Sequence, residues 1–252
     1  MTSVKTADRM PWIRSFHPAA ADSVQLVALP HAGGSASAFR SLSAALAPEI
    51  EVLAVQYPGR LDRYHEPVVT DIHVLADRVA EALESALDRP VALFGQSMGA
   101  SVAFELALRL EQRGVRPRAL VLLSRTAPGV GLGRPHVVHQ LGDAELLAEL
   151  EAFGAFDARI VEDEDLLEHT LTVVRGDYRA VESYRPTPGA RVGCPVSVLV
   201  GDQDPRVSPD QASAWGDWAR EGIDLRVFEG GHFFLEDNLD AVAELVRGAV
   251  SS

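Results

Sequence analysis

The five residues Gly95-Gln96-Ser97-Met98-Gly99 follow the apolar run Val91-Ala92-Leu93-Phe94 and precede a long helical pattern that begins at Ala100. That order predicts a strand, a sharp turn and a helix, with a serine at the turn and a glycine two residues to either side. On such a turn the serine hydroxyl is pushed above the sheet edge, and the glycines let neighbouring chain pass close by. A serine hydroxyl is a poor nucleophile until a base takes its proton. The base, a histidine, needs a carboxylate to orient it. The chemistry in prospect is acyl transfer through a covalent serine intermediate.

Strand, serine turn and helix together form the nucleophile elbow of α/β-hydrolases, in which acid and then histidine follow the serine on loops after late strands. Here Val196 to Val200 runs into Gly201-Asp202-Gln203-Asp204-Pro205, and Leu225 to Phe228 runs into Glu229-Gly230-Gly231-His232-Phe233-Phe234. Of the eight histidines, only His232 follows a late strand through a double glycine, and it is the expected base. His31, before a Gly-Gly pair, lies upstream of the serine and is expected to shape a loop. His136 and His139 have an H-x-x-H spacing but no helix with further acidic ligands, so no zinc site is expected. Asp202 and Asp204 share one loop. Asp204 lies further beyond the strand end and is favoured as the acid, with Asp202 bracing the turn. Two backbone donors should receive the oxyanion: the N–H of Met98, directly after the nucleophile, and that of Ala32 in the glycine-rich loop Leu29-Pro30-His31-Ala32-Gly33-Gly34.

These residues need a sheet to hold them. Strand-like runs recur at Val24 to Leu29, Val52 to Tyr57, Val91 to Phe94, Ala119 to Leu123, Val196 to Val200 and Leu225 to Phe228. Helical patterns alternate with them, from Phe39 to Leu46, Ile72 to Leu87, Ser97 to Arg113, Pro209 to Arg220 and Leu239 to Val250. Continuous apolar strands separated by helices predict a mostly parallel sheet covered on both faces. Between Leu123 and Val196 the alternation stops, leaving two amphipathic helical patterns. One carries Leu146, Leu147, Leu150 and Phe153 after a possible Asp143 cap; the other carries Leu167, Leu171, Val174, Tyr178 and Val181. The expectation is one α/β domain over residues 1–252, with an insertion at about 130–186 that caps the cleft as a lid. The acidic cluster Glu162-Asp163-Glu164-Asp165 is expected to be a solvated helix start.

Composition narrows the class. Thirty-six acidic against 23 basic side chains give a formal charge of −13, which would repel a phosphate backbone, so nucleic acid is not an expected partner. No apolar stretch reaches the roughly 18 residues of a membrane span, and Met1 to Arg14 lacks the apolar core of a secretory signal. A cytoplasmic protein is expected. The single cysteine, Cys194, precedes Pro195 and an apolar run, and is expected to pack rather than react.

The chain resembles the type II thioesterases, stand-alone hydrolases that accompany modular polyketide and nonribosomal peptide synthases. The resemblance rests on the segments around Ala32, Ser97, Asp204 and His232 already quoted, together with Tyr57-Pro58-Gly59-Arg60-Leu61-Asp62-Arg63 and Ser124-Arg125-Thr126-Ala127-Pro128. A looser match covers Val173-Val174-Arg175-Gly176-Asp177-Tyr178. The resemblance implies Ser97, Asp204 and His232 as nucleophile, acid and base, and Ala32 and Met98 as oxyanion donors. It further implies hydrolysis of acyl groups from the phosphopantetheine thiol of an acyl or peptidyl carrier protein, with no metal or organic cofactor. Two other readings stay open: an esterase acting on small free substrates, and a catalytically silent carrier-binding module. Because carrier proteins are commonly acidic, as this chain is, Arg60 and Arg63 are candidates for a local basic docking surface; the alternative pairs them with Asp62 or Glu66 to brace their loop. Nothing in the sequence demands more than a monomer.

Overall fold

The computed structural model describes residues 11–130, 137–152 and 162–251. Among these residues, β1 (Ile13–Arg14), β2 (Val24–Leu29), β3 (Ile50–Val55), β4 (Val91–Gln96), β5 (Leu120–Leu123), β6 (Val196–Gly201) and β7 (Asp224–Phe228) form one sheet in the order β1-β3-β2-β4-β5-β6-β7. All pairings are parallel except that of β1, which runs antiparallel to β3. The mostly parallel α/β sheet is therefore present, with one short strand added that two residues could not announce.

Side-chain alternation explains the continuous apolar runs. Leu26 and Ala28 of β2 enter one core with Phe39, Leu42, Val242 and Val246, whereas Val27 and Leu29 enter the other with Leu75, Val79 and Phe104. A strand covered on both faces needs apolar residues at both parities. The first core lies under α1 (Arg40–Leu46) and α7 (Leu239–Ser251), the second under α2 (Ile72–Leu83) and α3 (Met98–Gln112).

Several boundaries differ from expectation for local reasons. β3 begins at Ile50 rather than Val52 because Glu51, which reads as a boundary, is buried with Gln25 Nε2 donating to its carboxylate at 3.2 Å and Arg89 paired to it. The helix expected from Phe39 opens as a 3-10 turn over Ala36–Phe39. The helix from Ile72, capped by Asp71, stops at Leu83 rather than Leu87. The pattern from Pro209 to Arg220 splits into α6 (Pro209–Ser213), closed by a Ser208–Gln211 capping box, and a 3-10 turn over Ala214–Trp218.

Between β5 and β6 lie α4 (Asp143–Ala152) and α5 (Glu164–Ser183). Asp143 is the first residue of α4 rather than its cap. Asp163 does cap α5, its carboxylate accepting from the Leu166 amide at 3.1 Å, and the acidic cluster around it is exposed at the positive end of the helix. Leu146, Leu150, Leu171, Val174 and Tyr178 close on Val138 as a third apolar cluster; Phe153, expected in the same stripe, lies outside the described residues. No helix among the described residues is long and apolar enough to cross a membrane.

Cys194 sits just before β6, buried, with its amide donating to Glu111 at 3.0 Å. Burial, and after it the Glu111 charge, push its thiol up to about 12. At pH 8 only about one molecule in 10⁴ would carry the thiolate that alkylating reagents require. Intact-mass measurement with iodoacetamide should therefore find the native chain unlabelled over hours and the guanidinium-unfolded chain fully labelled. Rapid labelling of the native chain would contradict the packing role.

Candidate active site

β4 ends at Gln96 and α3 begins at Met98, which leaves Ser97 alone at φ 54 and ψ −112. A non-glycine residue in this region is strained and is held there by its surroundings. Those surroundings dictate the two glycines. A Cβ on Gly95 would lie 2.3 Å from the Gly99 carbonyl oxygen, and one on Gly99 would lie 2.0 Å from that of Leu29. The elbow thus packs directly on the end of β2. The chain leaves adjacent β2 and β4 for opposite faces of the sheet, toward α1 and α3 respectively, opening a crevice at their carboxyl ends.

Into this crevice the loops after β6 and β7 bring Asp204 and His232. Ser97 Oγ is 3.0 Å from His232 Nε2, and His232 Nδ1 is 2.8 Å from Asp204 Oδ2. With Nδ1–H donating to the carboxylate, Nε2 is left to accept the serine proton, a tautomer assigned from these hydrogen bonds. The other oxygen of Asp204 accepts from the Arg206 amide at 2.8 Å. Asp202 takes the bracing place expected of it, accepting from the Gly230 amide at 2.9 Å. Its loop and the histidine loop lie backbone to backbone: the Asp202 amide donates to Phe228 at 2.8 Å and the Gln203 amide to Gly230 at 2.9 Å. A Cβ on Gly201 would lie 2.3 Å from the Gly230 oxygen, so this contact requires glycine.

Ala32 and Met98 both line the cleft beside Ser97, and neither of their amides donates to a backbone carbonyl among the described residues. Two donors so disposed can serve an oxyanion. The cleft is narrow, and the insertion contributes Leu150, Tyr178 and Val181 to its lining, together with Val207 and Phe233. An acyl chain fits such a lining.

Two of the other histidines singled out in the sequence have local partners. His31 does shape its loop: its Nδ1 lies 2.9 Å from the Ala32 carbonyl and its ring meets Phe233 edge-on at 5.0 Å. Burial, chiefly, lowers its pKa and favours the neutral ring. His139 pairs with Glu182 at 2.5 Å, whereas His136 lies outside the described residues. Among the described residues no group of three or more His, Cys, Asp or Glu side chains gathers as a metal site would require.

Arg60 and Arg63 do not form a basic docking surface. They are only 7% and 4% exposed. Arg60 pairs with Asp177, its Nη1 donates to the Pro58 carbonyl at 2.6 Å and its Nε to that of Gly34 at 3.3 Å. Arg63 pairs with Glu66 at 2.6 Å and lies over the Trp12 ring. Bracing by Glu66 was foreseen for Arg63; the partner of Arg60 was not, and Asp62 instead pairs with Arg14.

Two further groups escaped the sequence. Ser124, at the end of β5, has φ 51 and donates through Oγ to the His232 carbonyl at 2.7 Å, so it ties the histidine loop to the strand beside the elbow. Its position at a carboxyl strand end next to β4 was the available signal. Asp177 is a carboxylate on the apolar face of α5, between Val174 and Tyr178; a charge inside an apolar stripe was the signal there.

The comparison with known proteins agrees with this architecture. A family model described as the thioesterase domain matches residues 24–249. The chain is 46% identical over 228 residues to thioesterase PikA5 of Streptomyces venezuelae, covering 90% of this chain and 80% of that protein. It is 45% identical to a probable cadicidin biosynthesis thioesterase of Streptomyces griseus, covering 96% of this chain and spanning 66% of that relative's length. Among solved structures, the type II thioesterase BorB from the borrelidin biosynthetic cluster superposes with a TM-score of 0.89 at 43% identity, covering 97% of this chain and 100% of that one. A type II thioesterase of the yersiniabactin pathway, YbtT, gives 0.85 at 32% identity over 94% of this chain and 97% of that one. The α/β-hydrolase fold, the elbow and these relatives converge: the chain belongs to the thioesterase family and, within it, to the type II thioesterases.

Proposed function

We propose that this protein is an editing thioesterase that hydrolyses acyl groups from the phosphopantetheine arm of acyl or peptidyl carrier proteins in polyketide or nonribosomal peptide biosynthesis. The observation that carries the reading is the continuous hydrogen-bonded line Ser97–His232–Asp204, at 3.0 and 2.8 Å. In this reading Ser97 Oγ attacks the thioester carbonyl while His232 Nε2 takes its proton and Asp204 stabilises the imidazolium. The amides of Ala32 and Met98 receive the oxyanion. The sulfur leaves as the thiol, taking the proton from His232 and returning the imidazole to its neutral form. His232 then activates water against the acyl-enzyme, releasing the acid and restoring Ser97. Each step uses groups of this chain, and none calls for a metal or organic cofactor.

The segment from about residue 130 to 186 acts here as a lid on a single α/β-hydrolase domain. Its contribution of Leu150, Tyr178 and Val181 to the cleft supports that role. The protein works as a cytoplasmic monomer on its carrier-bound substrate.

The test is intact-mass spectrometry of a short-acyl carrier protein incubated with the enzyme, beside the same acyl group on a small free thiol. Acyl loss should be faster from the carrier. Equal or faster turnover of the free thioester would instead assign a small-substrate esterase. No loss from a panel of acyl carriers, with the protein folded, would point to a silent binding module.

A further inference from the structure

The loop that carries Ala32 is held from an unexpected direction. The His31 carbonyl accepts from the Gly34 amide at 2.9 Å, closing a turn whose third residue, Gly33, sits at φ 75. A positive φ there marks a type II turn, which differs from type I by rotation of the peptide between Ala32 and Gly33. Both ends of that peptide are pinned. Its carbonyl lies 2.9 Å from His31 Nδ1, and its N–H donates to Asp177 Oδ2 at 2.7 Å. The same carboxylate oxygen pairs with Arg60, whose Nε reaches the Gly34 carbonyl. Asp177 is 1% exposed and rides on α5, 144 residues further along the chain than Gly33. α5 is also packed directly against the turn: a Cβ on Gly33 would meet Val174 Cγ2 at 3.0 Å.

We infer that Asp177 is a positioning residue for hydrolysis: by holding the Gly33 N–H and Arg60 together, it fixes the Ala32 loop for oxyanion binding only while α5 is seated. Resting on the thioesterase reading above, this makes the donor geometry conditional on the lid helix. When α5 lifts, the 32–33 peptide keeps only its His31 contact and loses its acceptor, and the loop loses the fixed aim an oxyanion donor requires. The enzyme would then bind an acyl chain with the lid open but hydrolyse it only with the lid closed, because the carboxylate that completes the site is delivered by the lid.

The test uses the full chain and two variants. Asp177→Leu combined with Arg60→Met removes the contact without stranding a buried charge, and Asp177→Asn keeps the shape and one acceptor. Steady-state hydrolysis of a short-acyl free thioester is measured beside inhibition by two probes. One is an alkylboronic acid, which forms a tetrahedral adduct on Ser97; the other is the thioether analogue of the substrate, which does not. In the double variant kcat should fall about a hundredfold with KM changed by no more than about threefold, and the single variant should lose about tenfold, as expected for a misaimed oxyanion donor. Boronate inhibition should weaken in step with kcat while thioether inhibition holds. Wild-type kcat in either folded variant, or boronate and thioether binding falling together, would overturn the inference. A wild type inert to both thioester and boronate would remove the thioesterase reading itself, and this role with it.

Discussion

Ser97→Ala is expected to lower kcat for acyl-carrier hydrolysis by roughly a millionfold while leaving the fold and carrier binding in place. Removing the nucleophile of a serine triad has an effect of about this size, and the residual rate comes from binding and oxyanion stabilisation alone. The substitution deletes one hydroxyl from a residue whose backbone is set by the packing of Gly95 and Gly99, so the elbow keeps its shape. Intact-mass spectrometry should find acyl carrier persisting with the variant, and no acyl adduct on the variant itself. Hydrolysis at the wild-type rate would assign the nucleophile to another group.

The second large effect separates two aspartates two positions apart in one motif. Asp204→Asn should lower kcat about ten-thousandfold, as loss of the orienting carboxylate does in other serine triads. The amide could turn its NH₂ toward Nδ1 and hold the ring in the tautomer that leaves Nε2 protonated and unable to accept from Ser97. Asp204 has no solvent to relieve the mismatch, its side chain being 0% exposed. Asp202→Asn should change kcat by about threefold or less, since an asparagine oxygen can still accept from the Gly230 amide. Parallel kcat measurements on the two variants decide the assignment. Equal losses, or a larger loss at Asp202, would reverse it.

How far this arrangement could be read from the chain depends on the range of the interaction. The strands Val24–Leu29 and Val196–Gly201 stand where apolar runs predict them to within one residue, because burial on both faces writes itself into consecutive residues. That Ser97, His232 and Asp204 come together was legible because each lies on a turn just beyond a strand, where local composition departs from the run before it. Glu51 concealed the start of β3, since the partners that make its charge tolerable, Gln25 and Arg89, lie far away in sequence. The partners of Asp177 were illegible for the same reason. Periodicity puts it on the buried face of α5, but nothing local says that its partners are Gly33 and Arg60. Arg60 and Arg63 misled because a charge count treats every arginine as solvated, whereas each guanidinium here is buried among carbonyl and carboxylate oxygens.

The backbone stitching between the loops after β6 and β7 bears on how the site is held together. Asp202, Gln203, Gly230 and the Gly201 contact lock the two loops together. Asp204 and His232 therefore stand on one stitched pair of loops rather than on two independent ones. The elbow lies between β4 and α3, and the neighbouring strand β5 reaches the stitched loops through the Ser124 hydroxyl on the His232 carbonyl. The Ser124 bond and the Ser97–His232 contact thus cross the same junction side by side, tying the stitched loops to the centre of the sheet at two points.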